Sequence, residues 1–348
     1  MTRKLNIGLI GAGRIGTLHA EHLANLIPDA NLLAVSDIVY DAAQRCATEL
    51  DIPKAVEDYR IIMESPEIEA VVICSSTDTH SQMIEEAAAA GKHIFCEKPI
   101  DHDLDRIDRA LEIVEKAGVK LQIGFNRRFD PDFRRVQEIV AEGRIGDPHL
   151  LRITSRDPAP PPIEYIKVSG GIFLDMTIHD FDMARFLIGS EVYEVFAAAG
   201  VMVDPAIGEA GDVDTAIITL RFDNGVIGTI DNSRKAVYGY DQRVEVFGSE
   251  GMVQVSNKTP NSAVLSGKEH IQSSLPLNFF VERYVDSYIA EMKAFIDCVL
   301  NDRTPPVTGK DGRIPVVIGY AAAMSMKENR PVKLTEVDKT WPVFGAFT

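Results

Sequence analysis

Over the first third of the chain, short apolar runs rich in Val and Ile alternate with stretches in which apolar residues recur at helical spacing. Asn6–Ile10, Leu32–Ser36, Ala70–Cys74, His93–Cys96 and Leu121–Gly124 read as strands. Arg14–Leu26, Asp41–Leu50, Thr79–Ala90 and Leu104–Ala117 read as helices. Alternation of this kind predicts β-α units around a doubly wound parallel sheet.

After Asp147 the pattern changes. Leu150–Thr154, Glu194–Ala199, Ala216–Phe222, Val226–Ile230, Arg243–Phe247 and Met252–Val255 follow as strand-like runs, and the FDNG sequence of Phe222–Gly225 reads as a hairpin turn between two of them. Phe280–Leu300 and Gly312–Met326 return to helical period. A chain of 348 residues is long for one core. We therefore expect an α/β domain over residues 1–124 and an α+β domain over residues 125–348.

Charge narrows the possible partners. The formal charge is −16, from 52 acidic and 36 basic residues, and no block of Lys or Arg gathers into a patch. Nucleic acid and anionic lipid are therefore not expected partners. The four cysteines, Cys46, Cys74, Cys96 and Cys298, show neither CxxC spacing nor a disulfide framework. No apolar run is long enough to cross a bilayer, and the amino end lacks a signal-peptide succession, so a cytoplasmic location is expected. Asp157–Pro162, DPAPPP, reads as a rigid loop.

Chemistry concentrates at the ends of the predicted strands. GAGRIG places Gly11, Gly13 and Gly16 after the first strand and at the start of a helix. Such a loop needs a tight turn at Gly11, close approach of a pyrophosphate at Gly13, and close helix–strand packing at Gly16. The phosphates would meet the free N–H groups of the helix that begins near Arg14, so Gly11, Ala12, Gly13, Arg14 and Ile15 are candidate cofactor contacts. Asp37 ends the second strand about 20 residues beyond the loop, where an acid can accept from both ribose hydroxyls. A 2′-phosphate there would meet like charge, and Ile38 and Val39 supply no cation, which favours NAD over NADP. Ser75, Ser76 and Thr77 close another strand with small side chains that allow a cofactor to lie close, His80 follows them, and Thr77 or Asp78 could equally serve as an N-cap. FCEKPI closes a further strand with Glu97, Lys98 and Pro99, where a residue that cannot continue the ladder follows a Lys at the carboxyl edge of the sheet.

The stretch GGIFLDMTIHDFD, Gly170 to Asp182, sets Asp175, His179 and Asp182 in an apolar run. Read as one helix, these positions share a face. Their convergence fits a metal site, a buried polar network or an active site.

GLIGAGRIG, FCEKP, GFNRRFD and GGIFLDMTIHDFDMARFL, in this order, resemble the glucose–fructose oxidoreductase and inositol dehydrogenase family over nearly the whole chain. With YGYDQR they are most similar to its bacterial myo-inositol 2-dehydrogenase branch. The resemblance implies an NAD-binding Rossmann domain joined to an α+β domain built on a large, mostly antiparallel sheet. It also implies a homo-oligomer, a dimer or tetramer. The implied reaction is metal-free, NAD-dependent oxidation of a cyclic polyol, myo-inositol to its 2-keto form. In it His179 takes the hydroxyl proton, Lys98 stabilises the forming alkoxide, and Asp175 orients the imidazole. Asp182, Asn126, Arg127, Asp157 and Tyr240, with Tyr238 as an alternative, become candidate polyol contacts, and Glu97 and Lys98 join the cofactor set. Where inositol dehydrogenases carry Thr or Ser after the catalytic Asp, this chain has Met176, which bears on the choice of polyol. Other members suggest scyllo-inositol or sugar oxidation, an NAD-sensing regulator without chemistry, or a glycoside hydrolase that returns its NAD unchanged.

Overall fold

The computed structural model describes residues 3–341. Strands β1 (Leu5–Ile10), β2 (Ala30–Ser36), β3 (Lys54–Val56), β4 (Ala70–Ile73), β5 (His93–Glu97) and β6 (Leu121–Gly124) form one sheet in the order β3-β2-β1-β4-β5-β6. Every neighbouring pair is parallel. β4 and β6 are buried along their whole length, as strands covered on both faces must be. The strand order reverses between β1 and β4, which is where an open α/β sheet receives ligands at its carboxyl edge. β3 was not expected: three residues at the sheet edge are too few to show a pattern.

The helix Leu104–Ala117 illustrates how local sequence sets the elements. The Asp103 side chain accepts from the N–H groups of Asp105 and Arg106, and Gly118 closes the other end in the left-handed region.

The chain divides into two compact units: Met1–Asn126 with Asp286–Ile314, and Arg127–Val285 with Pro315–Thr348. Asp286–Ile314, expected in the second domain, thus belongs to the first. The cause is the helix Val285–Leu300, whose Met292, Phe295 and Ile296 complete the core formed by Leu5, Ile7, Leu9, Val72 and Phe95. A short helix, Phe280–Arg283, precedes it, so the expected single helix over Phe280–Leu300 is interrupted at Tyr284.

In the second unit, β7 (Pro148–Arg156), β8 (Val192–Gly200), β9 (Thr215–Phe222), β10 (Ile227–Ser233), β11 (Asp241–Gly248) and β12 (Met252–Val255) carry the expected strand runs. β13 (Val264–Ser266) and β14 (Ile271–Ser273) pair with each other in an exposed ribbon, and β15 (Val332–Lys333) is a two-residue edge. The large sheet runs β12-β11-β7-β10-β9-β8-β15. It is antiparallel except for β7 and β10. FDNG forms the predicted hairpin between β9 and β10, with Gly225 at φ 90°. Burial alternates along β9 and β11, so one face of this sheet packs on the unit's core and the other does not.

Candidate active site

In the first unit the glycine loop is defined by backbone contacts. Gly11 has φ 97°, and a Cβ there would lie 2.6 Å from the Cys74 carbonyl; one on Gly16 would lie 1.8 Å from the carbonyl oxygen of Gly11. Both positions therefore exclude a side chain. A Cβ at Gly13 would meet nothing within 4 Å, so the loop is open on the side where a pyrophosphate must approach. Gly13 is also the N-cap of the helix Arg14–Asn25, and no side chain caps its N–H groups, which leaves the positive end of the helix to an anion. Ala12 and Ile15 are half-buried beside this opening, and Arg14 is exposed.

Asp37 holds the loop in place. Its carboxylate accepts from the Ala12 N–H at 2.7 Å and from the Val39 N–H at 2.8 Å. Two of a carboxylate's four acceptor sites remain, enough for a pair of ribose hydroxyls. Ile38 beside it is 87 % exposed. Together the open backbone at Gly13, the uncapped helix and the acid at Asp37 fit a dinucleotide with an unphosphorylated ribose.

Four of the expected cofactor contacts also make contacts within the unit. His80 is buried, with Nδ1 2.8 Å from the Pro99 carbonyl oxygen and Nε2 3.0 Å from that of Ser75. It ties the ends of β4 and β5 together. Ser76, rather than Thr77 or Asp78, is the N-cap of the helix Thr77–Ala89. The Ser75 hydroxyl bonds Thr79 Oγ1 at 2.7 Å. Glu97 is buried at the end of β5 with its carboxylate 2.7 Å from His19 Nε2, and Lys98 after it is half-buried. Asn126 is tied within this unit, donating to Ser287 Oγ at 3.2 Å.

In the second unit Gly170–Asp182 is not one helix. Gly171–Asp175 and Ile178–Ile188 are separate helices. At the junction the Thr177 N–H reaches back to the Ile172 carbonyl oxygen, five residues away, and the Thr177 hydroxyl bonds that oxygen and Asn232 Oδ1. This widened turn lies between Asp175 and His179, so the two residues stand on separate helices.

Asp175 is pinned. Its Oδ1 accepts from the Tyr165 hydroxyl at 2.8 Å and its Oδ2 from Arg234 Nη1 at 3.2 Å, while Arg234 Nη2 reaches Asp212. Arg234 is 1 % exposed, whereas Asp175 and His179 are half-buried. Tyr165 and Arg234 had not been singled out. One lies beyond the proline loop and the other just past β10, and no local pattern marks either as a partner of Asp175.

Asp182, expected as a polyol contact, has a partner within the unit. It is buried and accepts from Arg128 Nε and Nη2 in a two-pronged contact at 2.6–3.1 Å, so its carboxylate serves an internal ion pair. Arg127 and Tyr240 are likewise internal. Arg127 donates to Asp180 Oδ1 at 2.6 Å and to the Tyr240 hydroxyl at 3.4 Å, and Asn232 Nδ2 donates to Asp180 Oδ2. Their burial follows from the apolar run around them: an Asp at position 180 points inward and can be accommodated only with a cation and donors around it. Burial pushes the Asp180 carboxyl up, against the pull of Arg127 and its hydrogen bonds. Tyr238 is occupied by Arg156 and Asp241. Met176 is buried, so its side chain faces the core.

Asp157 behaves differently. Burial, and then the charge of Asp175, push its carboxyl up to about 7, with Arg234 and Arg127 opposing. It remains partly exposed. This places a carboxyl that titrates near neutrality in the electrostatic surroundings of Asp175. All four cysteines are free and buried. Among the described residues no helix is long and apolar enough to cross a membrane.

Comparison with known proteins identifies the family. Residues 5–125 match an oxidoreductase family with an NAD-binding Rossmann fold, and residues 133–254 match the GFO/IDH/MocA C-terminal domain. A myo-inositol 2-dehydrogenase of Thermotoga maritima is 54 % identical over 96 % of this chain and 99 % of its own. An inositol 2-dehydrogenase of Rhizobium meliloti is 45 % identical over 95 % and 99 %. The crystal structure of scyllo-inositol dehydrogenase from Lactobacillus casei, with bound NAD(H) and scyllo-inositol, superposes with a TM-score of 0.90 at 30 % identity, covering 96 % of this chain and all of that one. The first unit thus carries an NAD-binding Rossmann fold, and the chain belongs to the glucose–fructose oxidoreductase and inositol dehydrogenase family.

Proposed function

We propose that this enzyme oxidises myo-inositol at carbon 2 to 2-keto-myo-inositol. The observation that carries the reading is the 54 % identity, over 96 % of the chain, to the myo-inositol enzyme of T. maritima. NAD supplies the hydride acceptor when bound. His179 takes the proton of the reacting hydroxyl, as an imidazole near its working pH can. The Lys98 ammonium donates to the same oxygen and stabilises the charge that develops on it. Asp175, held at both oxygens by Tyr165 and Arg234, needs no reorganisation to orient the imidazole or to accept from a neighbouring hydroxyl. Asp157 is proposed as a further polyol contact.

We also propose a cytoplasmic homo-oligomer, a dimer or tetramer. Met252, Phe247, Leu150 and Ile227 are neighbours in register across four strands. Each is between 42 and 47 % exposed. Such a row of apolar side chains is suited to cover by a second copy. The free cysteines favour a reducing compartment.

A panel of polyols and sugars with NAD, read as NADH absorbance, tests the reaction. Highest kcat/KM with myo-inositol is expected. Preference for scyllo-inositol would select a second reading, favoured by the likeness to the L. casei enzyme. Released sugar without net NADH would reveal a hydrolase, and NAD binding without turnover on any substrate a sensor.

A further inference from the structure

Beneath β5 lies a group of ionisable side chains that the reaction as described does not use. His19, on the helix that follows the glycine loop, is 0 % exposed, and its Nε2 stands 2.7 Å from Glu97 Oε1. Glu291, on the helix Val285–Leu300, is also 0 % exposed, and neither of its carboxylate oxygens has a hydrogen-bond partner. One donor atom from each of the three lies within 4.8 Å of the others. The rings of Phe95 and Tyr288 stand edge-on to His19 at 5.3 and 5.6 Å between centroids. On the other side of Glu97, a Cβ at Gly124 would come within 2.9 Å of Oε2, so the carboxylate fills the space that this glycine leaves.

Two occupants could satisfy such a group, a metal ion or protons. Two ligands on one tetrahedral zinc ion are about 3.3 Å apart when the bonds are roughly 2.0–2.1 Å. The 2.7 Å between His19 and Glu97 is shorter and is a hydrogen-bond distance. That edge is closed by a proton. Burial, and then the charge of Glu97, push the Glu291 carboxyl well above the usual carboxylate range, so Glu291 also holds a proton. Two thiols and a second imidazole that interact electrostatically with the cluster stay neutral. Cys74 and Cys96 are pushed well up by burial and then by Glu97, and His22 is pulled down to about 4 by burial and then by His19.

We propose that His19 and Glu291 are positioning residues, a clamp that holds the Glu97 carboxylate, His19 by its hydrogen bond and Glu291 by standing against it without one, and so fixes the strand end from which Lys98 emerges. The clamp joins three elements: the helix of the dinucleotide loop, the β5 strand end, and the helix that returns late in the chain. Lys98 is the next residue after Glu97, so rotation or withdrawal of the Glu97 side chain frees the backbone that sets the lysine's direction. An alkoxide-stabilising ammonium works only if it is placed before the charge develops. The inference rests on the catalytic role proposed for Lys98.

The experiment compares His19→Gln, Glu291→Leu, Glu291→Gln and Lys98→Met on the full-length enzyme. Turnover, KM, NAD affinity, melting temperature and hydrogen exchange of the peptide spanning His93–Lys98 are measured on each preparation. For His19→Gln and Glu291→Leu, kcat should fall about ten- to a hundredfold, the range for a misplaced catalytic group. NAD affinity should stay within about threefold, and exchange at the β5 end should quicken while the rest of the sheet keeps its protection. Glu291→Gln, which keeps the shape and neutrality of the protonated acid, should recover most of the turnover lost in Glu291→Leu. Unaltered exchange at His93–Lys98 with unaltered kcat overturns the clamp. So does an earlier melt with normal turnover of the folded fraction, since that is a purely structural role. Stabilisation of the wild type by added zinc or manganese, absent in Glu291→Gln, overturns it in favour of a metal centre. If exchange quickens but Lys98→Met turns over normally, the clamp stands and the catalytic role of Lys98 falls.

Discussion

The glycine loop of the first unit and the Asp175–His179 turn of the second are both proposed to serve one reaction, yet they are built from different materials. The loop is made of backbone: two positions exclude a side chain, a third leaves open space, and one carboxylate ties the turn. The turn is made of side chains recruited from other elements: Tyr165, Arg234 and Asp212 around Asp175, and Arg127 and Asn232 around Asp180. A backbone device is written in consecutive letters. A side-chain device is written in letters that only the fold brings together.

The comparison can be broken first at its chemical end. His179→Ala should lower kcat by about two to four decades, the usual range for a positioned acid–base group, with little change in melting temperature or NAD affinity. A large fall in melting temperature with normal turnover of the folded enzyme would make the turn a structural network only. Next, Arg234→Met removes a fully buried cation from between Asp175 and Asp212. It should cost about 3–5 kcal/mol in chemical denaturation, the range for one partner taken from a buried pair, and should lower turnover as well.

The glycine loop invites a paired test. Gly16→Ala, whose methyl would collide with the Gly11 carbonyl, should destabilise the protein by about 1–3 kcal/mol and weaken NAD binding. Gly13→Ala should leave the melting curve of the free enzyme unchanged and weaken NAD alone. Equal behaviour of the two would refute the division of labour within the loop.

The smallest effect is a slope. Asp157 holds a proton in the folded state up to about pH 7, whereas an unfolded carboxyl releases it near pH 4. The folded state therefore binds more protons over that window, and the stabilisation present below pH 4 is lost as the pH rises toward 7. We expect about 1–3 kcal/mol of such loss from this group. Asp157→Asn should flatten denaturation midpoints measured between pH 4 and 7. An unchanged slope would place the titration elsewhere.

These differences explain what the sequence disclosed. The five long strands of the first sheet and the tight turn of the glycine loop were legible because each depends on neighbours in the chain. The six long strands of the second sheet were legible as runs, though not their order. Tertiary partners that no local pattern shows bear on three of the readings. Helical period joined Asp175 to Asp182 across a turn that the Thr177 hydroxyl widens. Asp182 read as a polyol contact although Arg128 claims it. His80 read as a cofactor contact although two carbonyl oxygens claim it. In each case the polar atom was noticed correctly and its partner lay elsewhere.

The late return of Asp286–Ile314 to the first unit bears on how the molecule is made. During synthesis the six parallel strands leave the ribosome more than 150 residues before the helix that carries Met292, Phe295 and Ile296. Until then Phe95 and its neighbours lack part of their cover, so the nascent sheet passes through an interval in which a chaperone can bind it. For the same reason, a fragment ending at residue 125 is not a self-sufficient cofactor module. Grafting that unit onto another protein would require carrying the distant helix along as a second piece.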